Sequence, residues 1–338
     1  MSNTESDSGP RECEDGPRAG ERGIAVPDYD APAALKILLE SEGLAMSKRL
    51  GQNFLVNRRA RERILEAALA AGGFERTPAG EAGPMVWEVG PGIGSMTELG
   101  LEAGLDLVAF EIDHGFARLL LRLFGGRPNF RIVEGDFLRT WRVELAEKGP
   151  PALVFGNLPY NAGNAMVAAL IEGFAAAGLP LPTMAFTVQK EAAMRMAARP
   201  GTKDYSAFSV LCTSACEVNV AFDLAGGSFW PAPRVTSSFV ILKPRPRPVG
   251  AMDRASFSAF CRAAFSSRRK TARNNLRAAG WSDAALDAAL AGLGLSPSAR
   301  AEELVPERLE ALLRALEDAK RDGGQAAPGL VNGGPGGL

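Results

Sequence analysis

Short apolar runs alternate with longer amphipathic stretches through the middle of the chain. The runs lie near Val86, Leu107, Phe130, Leu153 and Met184, and helical periodicity separates them at Ser95 to Gly104, Gly115 to Phe124, Ala162 to Phe174 and Glu191 to Ala198. That alternation predicts an α/β fold, a mainly parallel sheet with helices on both faces. Two helices are expected ahead of it, Pro32 to Glu42 and Asn57 to Ala71; the second carries Ile64, Ala68 and Leu69 on one face and stops at Gly72-Gly73. Two later runs, Cys212 to Phe222 and Val235 to Leu242, have no convincing helix between them. Pro244, Pro246 and Pro248 then mark a linker, beyond which Met252 to Lys320 is helical in pattern. The expected division is therefore an α/β domain over 31–248, a small all-α domain over 249–322, and a Gly/Pro-rich disordered tail over 323–338.

Composition agrees with this size. At 338 residues and 46% hydrophobic content the chain can bury one full core and a small second one. No apolar stretch is long enough to span a bilayer and the N-terminus lacks a signal peptide's apolar segment, so a cytoplasmic protein is expected. Cys13, Cys212, Cys216 and Cys261 form no Cys-x-x-Cys pair and His114 is the single histidine, so buried reduced thiols and no metal site are expected. His114 follows Asp113 at a predicted helix start, where a surface or capping role is the ordinary one.

A net charge of −1 conceals an uneven distribution. Residues 1–30 hold eight acids and three bases among Gly, Ser and Pro, which predicts a disordered acidic extension; the remainder is net positive by four. Lys48 to Arg63 carries six bases against one acid, and Arg254 to Arg277 carries seven bases and none. An isolated run of this kind is most simply a solvated helix face, but two runs flanking one α/β domain favour a phosphate-contacting surface.

Three strand ends carry the candidate chemistry. Val86-Trp87-Glu88-Val89-Gly90-Pro91-Gly92-Ile93-Gly94 reads as strand, glycine loop and helix start, where missing Cβ atoms let a ligand approach the main chain. Leu107 to Glu111 ends in an acid about twenty residues further on, placed to accept ribose hydroxyls. Phe130 to Asp136 ends in another acid, suited to an adenine amine. A dinucleotide loop would want its third glycine at Ser95, which counts against hydride transfer. Ala152 to Gly156 leads into Asn157-Leu158-Pro159-Tyr160, which supplies an amide oxygen, turn carbonyls and an aromatic face for a planar base bearing an amine.

In this order the residues resemble the adenosylmethionine-dependent methyltransferases and, within them, the small-subunit rRNA adenine dimethyltransferases. The resemblance runs from about Ala31 to Lys320 and adds Lys48 to Leu55, Gln189-Lys190-Glu191, Phe229 to Val235 and Arg268 to Asn274. It implies a Rossmann-like class I methyltransferase sheet, with the two late runs as its antiparallel edge, and a C-terminal helical RNA-binding domain. The cofactor it implies is S-adenosyl-L-methionine, with Asn53 and Leu55 on the methionine side, Gly90 and Gly92 at the loop, Glu111 at the ribose, Asp136 at the adenine amine and Asn157 close by. Asn157 with the carbonyls of Leu158 and Pro159 would orient the substrate amine, Tyr160 would stack on the base, and Phe229 would form a second aromatic wall. Lys48, Arg49, Arg268, Arg269, Lys270 and Arg273 would meet RNA. The implied activity is N6,N6-dimethylation of two adjacent adenines near the 3′ end of 16S rRNA in an immature small ribosomal subunit, by a monomer.

Two departures from the family pattern stand out. Met96 replaces a leucine, a mild packing change. Ala162-Gly163-Asn164 departs from the Asn-Ile-Ser-Thr-like continuation, and its small residues could leave room for a first methyl. The competing readings are a large-subunit rRNA adenine methyltransferase conferring macrolide resistance, a non-catalytic RNA-binding assembly factor on the same fold, and a nicotinamide-dependent oxidoreductase. Arg268-Arg269-Lys270 favours the small-subunit group over the first, and intact Asn157, Tyr160, Glu111 and Asp136 weigh against the second.

Overall fold

A computed structural model describes residues 11–12, 24–46, 52–78, 81–246, 248–249 and 254–322. The expected tail, residues 323–338, and Lys48 and Arg49 lie outside the described residues, as does most of the acidic extension. In chain order, β1 (Arg11–Glu12), α1 (Pro32–Ser41), β2 (Phe54–Leu55) and α2 (Arg58–Gly72) lead into the alternating core. That core comprises β3 (Met85–Val89), α3 (Ser95–Glu102), β4 (Asp106–Glu111), α4 (His114–Phe124), β5 (Phe130–Glu134), α5 (Phe137–Lys148), β6 (Leu153–Asn157), α6 (Gly163–Ala176) and β7 (Thr183–Gln189). There follow α7 (Lys190–Met196), α8 (Ala207–Ala215), β8 (Cys216–Leu224), β9 (Phe229–Trp230) and β10 (Ser237–Pro244), then α9 (Arg254–Ala264), α10 (Ala272–Ala278), α11 (Asp283–Gly292) and α12 (Pro306–Asp322).

Among the described residues the principal sheet has eight strands in the order β1-β5-β4-β3-β6-β7-β10-β8. The pairs β5–β4, β4–β3, β3–β6 and β6–β7 are parallel, and β10 runs antiparallel to β7. After β3 the chain moves outward through β4 and β5, then returns to the other side of β3 as β6. This reversal opens a crevice at the carboxyl ends of β3 and β6, where α/β sheets bind ligands.

Local chemistry sets the helix starts around that crevice. Asp113 caps α4 by accepting from the amides of Gly115 and Phe116, and Asp136 caps α5 through Leu138. Helix α5 was absent from the expected pattern; Phe137, Trp141 and Leu145 make its buried face at helical spacing, while the intervening charges mask the period. Phe137 meets Phe110 edge-on at 5.1 Å, and Phe110 meets Trp87 at 5.2 Å, which ties α5 to β4 and β3. The run expected as a strand from Cys212 begins instead inside α8. A Ser206/Ser209 capping box starts that helix, and extended structure begins only at Cys216. The acidic extension expected through Asp30 also ends sooner, because Tyr29 is buried and donates its hydroxyl to the Ile93 carbonyl at 3.0 Å.

The chain divides into two compact units, and the division does not fall at residue 248. One comprises residues 1–166, 182–190 and 220–243; the other comprises 167–181, 191–219 and 244–338. The second unit has its own core, in which Tyr205 and Val210 pack with Phe257, Leu276, Leu309 and Leu312, and the Tyr205 hydroxyl donates to the Leu304 carbonyl at 3.0 Å. Helix α8 thus joins the C-terminal helices, because Val210 and Ala207 pack into that core. Cys212, Cys216 and Cys261 are buried free thiols; Cys13 lies outside the described residues. Among the described residues no helix is long and apolar enough to cross a membrane, and no cluster of His, Cys, Asp and Glu could hold a metal ion.

Candidate active site

A cleft of about 250 Å³ opens at the carboxyl ends of β3, β4, β5 and β6. Its glycine loop leaves β3 with Gly90 and Gly92 at φ of 69° and 57°. At Gly90 a Cβ would meet nothing nearer than the Asn157 carbonyl at 3.9 Å, so its absence leaves open space on the cleft side of the loop. At Gly92 a Cβ would collide with the Phe54 ring at 2.7 Å.

Glu111 ends β4 beside this loop. Its Oε2 accepts from the Gly92 amide at 3.0 Å and its Oε1 from the Asp113 amide at 2.9 Å. Burial pushes its pKa up to about 7, and those amide hydrogen bonds hold it down from going further. The next residue, Ile112, is 54% exposed and lines the cleft, an apolar surface suited to a planar ring. Asp136 lines the same wall while capping α5 through the Leu138 amide. Beneath the loop Glu88 is fully enclosed; burial raises its pKa to about 8, and it accepts from the Thr97 hydroxyl at 2.7 Å.

The acceptor end is built on Asn157. Its Nδ2 donates to the Asn53 carbonyl at 2.7 Å, which fixes the amide's orientation. Its Oδ1 is buried and has no hydrogen-bond partner among the described residues. A buried amide oxygen without a donor costs about 1–3 kcal/mol, so this one is an acceptor open to a donor in the cleft. The Pro159 carbonyl, expected as another acceptor, already takes the amides of Ala162 and Gly163 at 3.1 and 2.9 Å, because α6 starts there. Asn157 Oδ1 is an acceptor the loop retains. Tyr160 lines the cleft, half-buried, and its hydroxyl lies 2.8 Å from Ser237 Oγ.

Two expected site residues are placed elsewhere. Leu55 is 2% exposed and Phe229 is 4% exposed; they pair across β2 and β9 and pack in the core instead of lining the cleft. Successive strand residues face opposite sides, so Phe54 takes the cleft position and Leu55 the core. Gln52, Phe54, Ile112, Phe137, Leu138 and Met166 are cleft residues that the sequence did not single out. Of these, Ile112 had a legible signal, an apolar side chain directly after a strand-end acid. Ala162 lines the cleft, but Gly163 does not: its missing Cβ would lie 3.2 Å from the Leu158 side chain, so it permits close packing of α6 and adds no room for a methyl.

The basic runs separate into structural and outward-facing charges. Arg61, 3% exposed, donates to the carbonyls of Val56 and Ser95 and pairs with Glu98, and Arg63 lies over the Phe222 ring at 3.7 Å. In the helical unit Arg254 donates to Ser214 and Arg262 pairs with Glu172. Arg268 pairs with Glu302 at 2.7 Å and bonds the Lys203 carbonyl. Arg273, expected to meet RNA, forks onto Asp287 at 2.6 and 2.9 Å and reaches Asp283 at 2.8 Å, so its charge is paired at the surface of this unit. Arg269 and Lys270 are exposed, and an open groove of about 370 Å³ is lined by Lys270, Asn274, Arg277 and Ala278.

This sheet, with a glycine loop, a strand-end acid and an acceptor loop around one cleft, defines a class I methyltransferase. Solved structures share the fold. A dimethyladenosine transferase from Plasmodium falciparum aligns with TM-score 0.58 at 20% identity, covering 78% of this chain and 96% of that one. The 23S rRNA methyltransferase ErmE aligns with TM-score 0.53 at 25% identity, covering 78% and 100%. In sequence, the ribosomal RNA adenine dimethylase model matches residues 43–310. A ribosomal RNA small subunit methyltransferase A from Treponema denticola is 42% identical over 287 residues, which is 83% of this chain and 93% of the relative. The chain belongs to the ribosomal RNA adenine dimethylase family.

Proposed function

We propose that this chain uses S-adenosyl-L-methionine to dimethylate N6 of two adjacent adenines near the 3′ end of 16S rRNA in an immature small ribosomal subunit. The observation that carries the reading is Asn157, whose amide is locked by the Asn53 carbonyl so that a buried, unpartnered oxygen is presented at the cleft. An adenine N6–H is the donor that such an oxygen lacks. The 42% identity with the small subunit methyltransferase A of Treponema denticola, over 83% of this chain, supports the small subunit as the source of the substrate.

The cleft fits the cofactor by its donor set. Glu111 and Asp136 offer carboxylates for hydroxyl and amine groups, Ile112 offers an apolar wall, and the space over Gly90 admits a ligand against the main chain. When bound, the cofactor supplies an already activated methyl group. The chain's own residues then have to align an amine and exclude water, for which no strong base is needed. Asn157 Oδ1 and the Leu158 carbonyl accept N6–H bonds and direct the nitrogen lone pair. Tyr160 offers a face to the extruded base, a contact worth roughly 1–3 kcal/mol. After one transfer the amine keeps a hydrogen and a lone pair, and Ala162 leaves space beside it.

Arg269 and Lys270 are the charges best placed to meet RNA phosphates. Incubating immature small subunits with isotopically labelled cofactor, then examining rRNA fragments by mass spectrometry, tests the proposal. Two methyl groups on each of two adjacent adenines of 16S rRNA are expected; label in 23S rRNA, or none, would overturn it.

A further inference from the structure

The acceptor loop is mounted on three neighbouring strand ends. Asn157 closes β6 in register with Thr187 of β7, and Ser237 opens β10 in register with Gln189 of β7. The loop crosses this row: the Leu158 amide donates to the Thr187 carbonyl at 3.0 Å, and the Tyr160 hydroxyl lies 2.8 Å from Ser237 Oγ. The main chain leading into Tyr160 is thus pinned, at Leu158 by β7 and at Pro159 by the first amides of α6. The ring itself is not fixed by those bonds, because the second side-chain torsion of tyrosine lies in a broad well.

From this geometry we infer that Ser237 is a positioning residue for methyl transfer, its buried hydroxyl fixing the tilt of the Tyr160 ring before the base arrives. Ser237 is 0% exposed and held in a strand ladder, so it is a rigid anchor, whereas Tyr160 is half-buried on the cleft wall. Burial raises the phenol pKa, which keeps the hydroxyl protonated for this bond at neutral pH. An unpinned ring would have to be ordered during each encounter, and that cost would fall on the transfer step and not on cofactor binding. The inference rests on the assignment of Tyr160 to the acceptor site.

The chain has three tyrosines, so fluorotyrosine labelling gives a readout independent of activity. Tyr29 and Tyr205 bond the carbonyls of Ile93 and Leu304 and serve as internal controls. In fluorine NMR of the full chain, Ser237→Ala is expected to shift or broaden the Tyr160 line, assigned through Tyr160→Phe, and to leave the other two unchanged. In single-turnover methylation of immature subunits, Ser237→Ala and Tyr160→Phe should each slow transfer about 3- to 10-fold with unchanged cofactor affinity, and the double variant should be no slower than either. An unmoved Tyr160 line, or rate reductions that multiply in the double variant, would overturn the inference. Should Ser237→Ala fail to fold, Tyr160→Phe still decides, since transfer at the wild-type rate would leave the hydroxyl with no positioning role. If the unaltered chain transfers no methyl group, the proposed function fails while the NMR result still reports whether Ser237 holds the ring.

Discussion

Asn157 and Asn53, 104 positions apart, share a hydrogen bond of 2.7 Å from the side-chain amide of one to the main-chain carbonyl of the other. This bond decides which face of the Asn157 amide meets the cleft. Asn157→Ala is therefore expected to lower single-turnover transfer about 100-fold or more, with thermal stability and cofactor affinity largely kept. Asn157→Asp should do no better, because a carboxylate cannot donate to Asn53 and its oxygen would face the carbonyl. Normal methylation by either variant would remove Asn157 from the acceptor site.

Glu111 serves the loop and the cleft together, since both its oxygens already hold main-chain amides. Both Glu111→Ala and Glu111→Gln should weaken adenosylmethionine binding, by about 10- to 100-fold, while RNA affinity is retained. The amide variant is included because its NH2 group would confront the amide of Gly92 or Asp113. Calorimetry with the cofactor checks this; unchanged affinity in Glu111→Gln would mean that the charge is dispensable.

Glu88 makes stability depend on pH in a definite direction. Its folded pKa, about 8, lies above its ordinary 4.5, so the folded state holds the proton more tightly. Stability is fully present below about pH 4.5 and declines as pH rises toward 8, with a limiting slope of about 1.4 kcal/mol per pH unit for one proton. Glu111, raised to about 7, adds in the same sense. Urea unfolding between pH 5 and 8 should show the decline, and Glu88→Gln, which can still accept from Thr97, should flatten it. An equal slope in both proteins would contradict the burial argument.

The outward-facing charges predict a divided response to mutation. Neutralising Arg269 and Lys270 should weaken subunit binding and reduce the magnitude of its salt dependence by about one unit for each phosphate that is no longer neutralised. Arg273→Ala should instead lower the melting temperature by releasing Asp287 and Asp283, and leave the salt slope unaltered. Binding isotherms at several salt concentrations, run beside thermal melts, distinguish the two.

What could be read from sequence follows from how local each determinant is. The strands, the glycine loop, Glu111, Asp136, Asn157 and Tyr160 were legible because period, residue type and short spacing carry them. Leu55 and Phe229 were misplaced because a motif gives the order of residues and not which face of a two-residue strand each one takes. Helix α5 was hidden because Thr140 and Glu144 stand among Phe137, Trp141 and Leu145 on its buried face and break the apolar period. Arg268 and Arg273 lost their apparent freedom to partners elsewhere in the chain, Glu302 and Asp287, which a count of charges along a segment does not detect. The Tyr160–Ser237 bond spans 77 positions and has no sequence period at all.

Behind the glycine loop, Tyr29 holds the Ile93 carbonyl, Arg61 lies 5.1 Å from the Tyr29 ring centre and bonds the Ser95 carbonyl, and Asp30 accepts from the Arg58 amide at 2.7 Å. The loop's shape is thus underwritten by a segment that does not itself line the cleft. A single cut between Asp30 and Pro32 would leave every ligand-facing side chain in place and still slacken the loop, so cofactor affinity becomes a measure of whether the chain is intact well upstream of its first binding residue.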